Sequence, residues 1–163
     1  MKEFSATEEL DSCSYLYLEA LSEPHANGLR LVLSEGIVSD RAETLTVGEV
    51  EIPDVRPVEV TDASRWFEVV WDTYISYSVR NESYCSWDKE EEWTGNAFRA
   101  YSKSKFLEFV STGTFASDEY PGPFVHYEIL CSDHIIDVAS EHPPTIRRVP
   151  NNSFKGMPLR GTP

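Results

Sequence analysis

Apolar and polar residues alternate most regularly over residues 66–80. Every second position from Phe67 to Val79 is apolar or threonine, whereas most of the positions between them are charged or serine, with Val70 and Tyr74 as exceptions. A period of two is that of a β-strand with one buried face. The pattern predicts one long strand, bent or bulged, at the centre of an antiparallel sheet.

A second β pattern covers residues 125–139, where two apolar runs flank the polar pair Ser132-Asp133. A hairpin turning on this pair places one set of side chains in the core and the other set on the opposite face. Its register would pair Cys131 with His134, Ile129 with Ile136, and Tyr127 with Val138. Because Ser-Asp is a weaker turn signal than Asn-Gly, one uninterrupted strand is the alternative.

Residues 102–112 have the features of a helix. Ser102 or Ser104 is a suitable N-cap, and Gly113 suits the C-terminal end. The apolar residues Phe106, Leu107 and Val110 share one side. A helix this short is stabilised mainly by docking its apolar side on a sheet.

These patterns together predict an α+β fold. A twisted antiparallel sheet, with long strands near 66–80 and 125–139, packs against one short helix near 102–112. Residues 15–21 and 29–33 add a hairpin, and the acidic stretch 34–65 adds short edge strands and loops. A small open β-barrel is the alternative architecture.

Charge is distributed unevenly along the chain. The 163 residues contain 14 Lys and Arg against 28 Asp and Glu, for a formal charge of −14. Residues 143–163 carry four basic residues and no acid, so residues 1–142 carry −18. We therefore expect a single acidic domain over 1–142, followed by a Pro-rich basic arm over 143–163 that is either mobile or strapped onto the acidic body.

The acidic charge excludes several classes of partner. Phosphate backbones and anionic membrane surfaces both require a basic footprint, so we expect neither nucleic acid nor membrane as a partner. The three cysteines lack C-x-x-C spacing, and no run approaches the ~20 apolar residues of a membrane span. A cytoplasmic protein with a basic protein partner is the expectation.

Glu128 and Asp137 are the strongest catalytic candidates. The predicted hairpin places them opposite each other, with about 5 Å between their Cβ atoms, and places His126 on the same face. Two carboxylates this close raise the pKa of one of them, which then suits a general acid. In the alternative interpretation an Arg or Lys from a neighbouring strand lies between the two acids, and the pair is structural.

Cys131-x-x-His134 has the spacing of half a zinc site, which Cys85 or His126 would have to complete. Structural zinc sites usually show two closely spaced ligand pairs, and the second pair is missing here. We interpret Cys131 as a small buried hydrophobe, and expect no metal and no cofactor.

Two tryptophans bracket an acidic run and form the candidate partner-binding surface: Trp87, Asp88, Glu90, Glu91, Glu92 and Trp93. Exposed aromatic rings anchor interfaces and acids attract a cationic partner, although both rings would alternatively pack on the sheet.

Complete catalytic and phosphate-binding motifs are absent from the sequence. The leading hypothesis is an acidic interaction protein of the immunity or inhibitor type. The alternatives are a small hydrolase using the carboxylate pair, or a small-molecule binder with aromatic residues inside a curved sheet.

Overall fold

The computed structural model describes residues 4–151. In chain order its regular elements are α1 (Ala6–Asp11), β1 (Leu16–Ser22), β2 (Leu29–Glu35), β3 (Ile37–Val38), β4 (Glu43–Val47), β5 (Val50–Val55), β6 (Val58–Glu59), β7 (Trp66–Trp71), β8 (Ser76–Asn81), a 3-10 turn (Glu82–Tyr84), β9 (Glu92–Thr94), β10 (Phe98–Lys103), α2 (Lys105–Gly113), β11 (Val125–Leu130), β12 (His134–Ser140) and β13 (Thr145–Val149).

Two antiparallel sheets form the body of the protein. The four-stranded sheet has the order β1-β2-β7-β13, and the five-stranded sheet has the order β8-β12-β11-β10-β9. One hydrophobic core joins them: Trp71 of the first sheet contacts Tyr127 of the second, with ring centroids 6.2 Å apart. Within residues 4–151 the sheets do not close into a barrel. The predicted α+β fold with a twisted antiparallel sheet and a short helix is therefore confirmed.

The hairpin of β11 and β12 has the register expected from the sequence. Ile129 pairs with Ile136, Glu128 with Asp137, and the Cys131 N–H donates to the His134 carbonyl at 2.8 Å to close the turn. Apolar residues of both strands enter the core, as the two apolar runs around Ser132-Asp133 require.

The single strand predicted over 66–80 is in fact two strands in different sheets. β7 ends at Trp71 and β8 begins at Ser76. Between them, the Tyr74 N–H donates to Asn27 O at 3.0 Å and the Ile75 N–H donates to Ala139 O at 2.8 Å. Residues 72–75 therefore carry the chain from one sheet to the other, because the first of these amides bonds the loop between β1 and β2 and the next bonds β12 of the second sheet.

The helix predicted near 102–112 is α2. Ser104 is its N-cap, with the hydroxyl accepting the Leu107 N–H at 3.1 Å, and Val110 is fully buried. Sequence analysis does not predict α1, whose capping box joins Ser5 and Glu8. Neither α1 nor α2, the α-helices of residues 4–151, is long and apolar enough to cross a membrane.

Part of the basic C-terminal arm lies on the acidic body. Residues 145–149 form β13, antiparallel to β7 at the edge of the four-stranded sheet. Arg147 forms an ion pair with Glu68, which Arg30 also contacts at 2.6 Å. Arg148 forms an ion pair with Glu9 at 2.6 Å. The arm's residues 152–163 lie outside the described residues.

Candidate functional site

A buried charge network lies on the face of the five-stranded sheet that points away from the core. Because strand side chains alternate, His126 and Glu128 of β11 project opposite to the core residues Tyr127 and Ile129. Asp137 of β12 projects beside them, directly across from Glu128. None of these three side chains is more than 3% exposed, and the structure places them together, as the predicted hairpin register does.

Asp137 is saturated with hydrogen bonds. Arg80 of the neighbouring strand β8 donates from Nε to Oδ2 and from Nη2 to Oδ1, both at 2.8 Å. Ser78 donates to Oδ2 at 3.1 Å, and His126 Nε2 lies 3.0 Å from Oδ1. A bidentate arginine contact is the strongest type of carboxylate contact in proteins.

Glu128 is held by three donors. The Tyr101 hydroxyl donates to Oε1 at 2.7 Å and Arg99 approaches the same oxygen at 3.4 Å. Arg80 Nη2 donates to Oε2 at 3.0 Å, so one guanidinium connects both acids. Two arginines and two carboxylates balance the formal charge of the network. This is the arrangement that the structural interpretation of the pair required, with an arginine from the adjacent strand between the acids.

His126 connects the network to the helix. Its Nδ1 lies 2.8 Å from the Ser104 hydroxyl, and its ring stacks on Tyr101 at 4.4 Å. Phe106 of α2 also contacts the ring, in a tilted arrangement with centroids 4.9 Å apart. In the neutral ring, the Ser104 hydroxyl donates to Nδ1 and Nε2–H donates to Asp137. The network thus fixes where α2 begins on the sheet.

The two carboxyls have pKa values shifted in opposite directions. Burial raises the pKa of Glu128, and the neighbouring Asp137 charge adds to this, whereas the Tyr101 hydrogen bond opposes it. Burial also acts to raise the pKa of Asp137, but the hydrogen bonds from His126 and Arg80 outweigh it and lower that pKa. Asp137 is therefore the ionised member of the pair, and Glu128 the member that holds a proton more readily.

This difference predicts a pH effect on stability for Glu128→Gln. Since the folded-state pKa of Glu128 lies above its unfolded value of 4.5, the group stabilises the fold below that pH, and its contribution falls as pH rises through the folded pKa. The free energy of unfolding of Glu128→Gln should therefore rise relative to wild type as the pH increases above 4.5 and through the raised folded-state pKa. Urea unfolding at several pH values measures the difference.

The control for this experiment is Glu119→Gln, which removes one negative charge from an exposed position in the loop after α2. A relative stability of Glu128→Gln that stays constant, or that falls with rising pH, would contradict the assignment of the raised pKa to Glu128.

The cluster has donor atoms suited to a metal, but its centre is occupied. One ligand atom from each of His126, Glu128 and Asp137 lies within 4.8 Å of the others. Arg80 Nη2 donates to both carboxylates, so a guanidinium takes the position of a cation. Cys131 is buried and its backbone closes the hairpin turn with His134, which accounts for the Cys-x-x-His spacing without a metal. The residues present therefore do not fit a metal.

Above the network lies the predicted partner-binding surface, here named the acidic platform: Trp87, Asp88, Glu90, Glu91, Glu92 and Trp93. The Arg99 guanidinium contacts both tryptophan rings, at 5.0 Å from the Trp87 centroid and 4.6 Å from the Trp93 centroid. Trp87 remains 52% exposed and Trp93 40% exposed. The rings therefore pack on a partly buried arginine and also present a face to solvent, which combines the two interpretations of the sequence.

The acids of the platform are partly neutralised by the strand and helix beside them. Lys105 contacts Asp88 at 2.8 Å, and its backbone N–H donates to Glu91 at 2.9 Å. Lys103 lies 3.9 Å from Glu90, whose side chain is 83% exposed. Exposed pairs of this kind contribute little energy to the fold.

A pocket of about 280 Å³ lies between the platform and α2. Its aromatic lining comes from Trp87, Phe106 and Phe109, and the network residues His126, Glu128 and Asp137 reach it from below. The pocket, the network and the platform thus form one continuous site.

Sequence analysis missed the residues that hold the site together: Arg80, Arg99, Tyr101 and Ser104 in its role toward His126. Arg80 is visible as a polar-face residue at the end of the 66–80 alternation. Its partner depends on the order of strands in the sheet, where β8 lies beside β12.

Comparison of the chain with known protein families, with curated proteins and with solved structures gives no match.

Proposed function

We propose that this protein binds and neutralises a basic protein, with the acidic platform as the contact surface. The observation that carries the proposal is the fixed, half-exposed pair Trp87 and Trp93, both stacked on Arg99. Tryptophan is the residue type most enriched among the few interface residues that dominate binding energy. Rings that are already immobilised lose less conformational entropy when a partner binds.

The buried network supports this function by positioning the rings. Arg99 is only 15% exposed and is oriented by the Asn96 carbonyl at 3.1 Å and by Glu128. Tyr101, which hydrogen-bonds Glu128, also contacts Trp93 with ring centroids 5.5 Å apart. The carboxylate pair thereby serves as the rigid base of the platform.

Charge supports the choice of a basic partner. Residues 1–142 carry −18, and the field of such a body accelerates encounter with a cationic surface. The lysines beside the platform neutralise part of its local charge. The tryptophans would then supply most of the affinity, and the acids most of the salt dependence and orientation.

A hydrolase is the second candidate, because the carboxylates of Glu128 and Asp137 approach within 4.8 Å below an open pocket. That separation is close to the range of about 5–5.5 Å for retaining glycosidases. All four carboxylate oxygens accept hydrogen bonds from side chains within the fold, which leaves none directed at a substrate. Loss of a measured glycosidase activity in Asp137→Asn, with folding retained, would favour this candidate over binding.

The proposal predicts selective capture of a basic protein from native lysate. Immobilised wild-type protein should recover it at low salt and less of it at moderate salt, since exposed charges are screened beyond about 8 Å at physiological ionic strength. The double variant Glu90→Gln/Glu92→Gln should recover markedly less, because it removes two exposed platform charges. Identification of the bound protein and its isoelectric point completes the measurement.

The matched control is Asp118→Asn/Glu119→Gln, which removes the same charge from the exposed loop after α2. This variant should capture as much as wild type. Recovery of no basic protein at either salt concentration, or equal losses in the two double variants, would contradict binding through the platform.

A further inference from the structure

The hairpin of β4 and β5 is a two-stranded sheet without further strands among residues 4–151. Residues 43–54 are exposed along both strands. An isolated two-stranded hairpin is marginally stable in water, and independent stability usually requires a third strand or a packed face. The described part of the chain supplies neither.

One face of this hairpin is aliphatic. Leu45 lies opposite Ile52 and Val47 opposite Val50, and the two pairs share a face because they are two residues apart along each strand. Their exposed fractions run from 44% for Ile52 to 61% for Val50. Four adjacent aliphatic side chains exposed to this extent form a continuous apolar patch rather than isolated surface residues.

The charge of the hairpin selects the partner. Residues 43–55 contain Glu43, Glu49, Glu51 and Asp54 and no Lys or Arg. A second copy of this chain would bring equal negative charges together, so self-association through this face is disfavoured. A segment that carries both basic and aliphatic side chains would complement the negative charge of the hairpin and also cover its apolar patch.

We infer that an extended segment of a basic protein, with alternating aliphatic and Lys or Arg side chains, adds to this hairpin as a third strand at the edge of β4. The aliphatic side chains of the segment would extend the face of Leu45 and Val47. Its basic side chains would extend the opposite face, which carries Thr46 and Glu51. The edge of β4 suits this addition because β5 contains Pro53, which lacks a backbone donor. This inference rests on the proposed function in one respect, which is that the partner is a basic protein.

NMR titration of the full chain with synthetic peptides tests this inference directly. The two probes are a ten-residue peptide of alternating Lys and Val and a peptide of alternating Lys and Ser with the same charge. The Lys-Val peptide should shift amide signals of residues 43–55 and bind there at least tenfold more tightly than the Lys-Ser peptide. In Val47→Thr/Val50→Thr, which retains β-branched side chains of similar shape, its affinity should fall about tenfold.

Other outcomes separate this inference from the proposed function. Shifts confined to residues 87–93, or equal affinity for the two peptides, would overturn docking at the hairpin and leave the platform intact. A dimer that dissociates in Val47→Thr/Val50→Thr would show that a second copy occupies the face, and would also overturn the inference. Hairpin shifts that persist in Trp87→Ala would support the hairpin even if the platform captures no partner.

Discussion

Asp137→Ala is expected to lower the free energy of unfolding by about 2–3 kcal/mol, because it removes a buried carboxylate that accepts charge-assisted hydrogen bonds, whereas its partner Arg80 is 42% exposed and stays partly hydrated. The side chain is 1% exposed and accepts from Arg80, His126 and Ser78. Its removal leaves the buried His126 without its Nε2 partner and Arg80 with only Glu128 as a carboxylate partner. Urea unfolding at neutral pH measures the change.

Two further variants calibrate this result. Asp118→Ala removes an exposed carboxylate from the loop after α2 and should change stability by less than about 0.5 kcal/mol. Ser78→Ala removes one hydrogen bond to Asp137 and should lower stability by about 1 kcal/mol, which keeps the test valid if Asp137→Ala does not fold. A loss below about 1 kcal/mol for Asp137→Ala would contradict a structural role for the network.

Trp87→Ala is expected to weaken binding of the captured basic protein by about 30-fold, equivalent to the ~2 kcal/mol that defines an interface hot spot. Trp93→Ala should have a similar effect, because both rings stack on Arg99. Titration calorimetry of each variant with the purified partner gives the dissociation constants. Their separate effects need not add, since Arg99 is shared by the two rings.

The control is Phe115→Ala, which truncates an aromatic side chain that is 84% exposed near a different cavity. Its affinity should equal that of wild type. Unfolding curves of the tryptophan variants show whether any loss of binding reflects loss of the fold. If Trp87→Ala and Trp93→Ala fold and bind the partner with the affinity of wild type, the acidic platform is not the contact surface.

The register of the β11–β12 hairpin was predictable because its two apolar runs are symmetric about Ser132-Asp133. This symmetry placed Glu128 opposite Asp137 and placed His126 on the same face. The division of 66–80 into β7 and β8 was not predictable from the alternation, because the side-chain period continues through residues 72–75 while the hydrogen-bonding partner changes from Asn27 to Ala139.

The site was predicted only in part, for reasons that lie in the sheet order. Glu128 and Asp137 are nine residues apart in the chain and pair directly across the hairpin, so local sequence relates them. Arg80 and Arg99 reach the pair from β8 and β10, which flank the hairpin on opposite sides. This placement depends on long-range strand pairing, and no local pattern encodes it. The helix α1 was missed because it is short, although Ser5 and Glu8 have capping-box spacing.

Amide hydrogen exchange of the protein, alone and in complex with the captured basic protein, tests the central claim most directly. We expect slower exchange in the complex over residues 86–94 and in the β4–β5 hairpin, with the remaining sheet strands unchanged. Protection confined to other surfaces, with residues 86–94 exchanging as in the free protein, would contradict the assignment of the acidic platform as the binding surface.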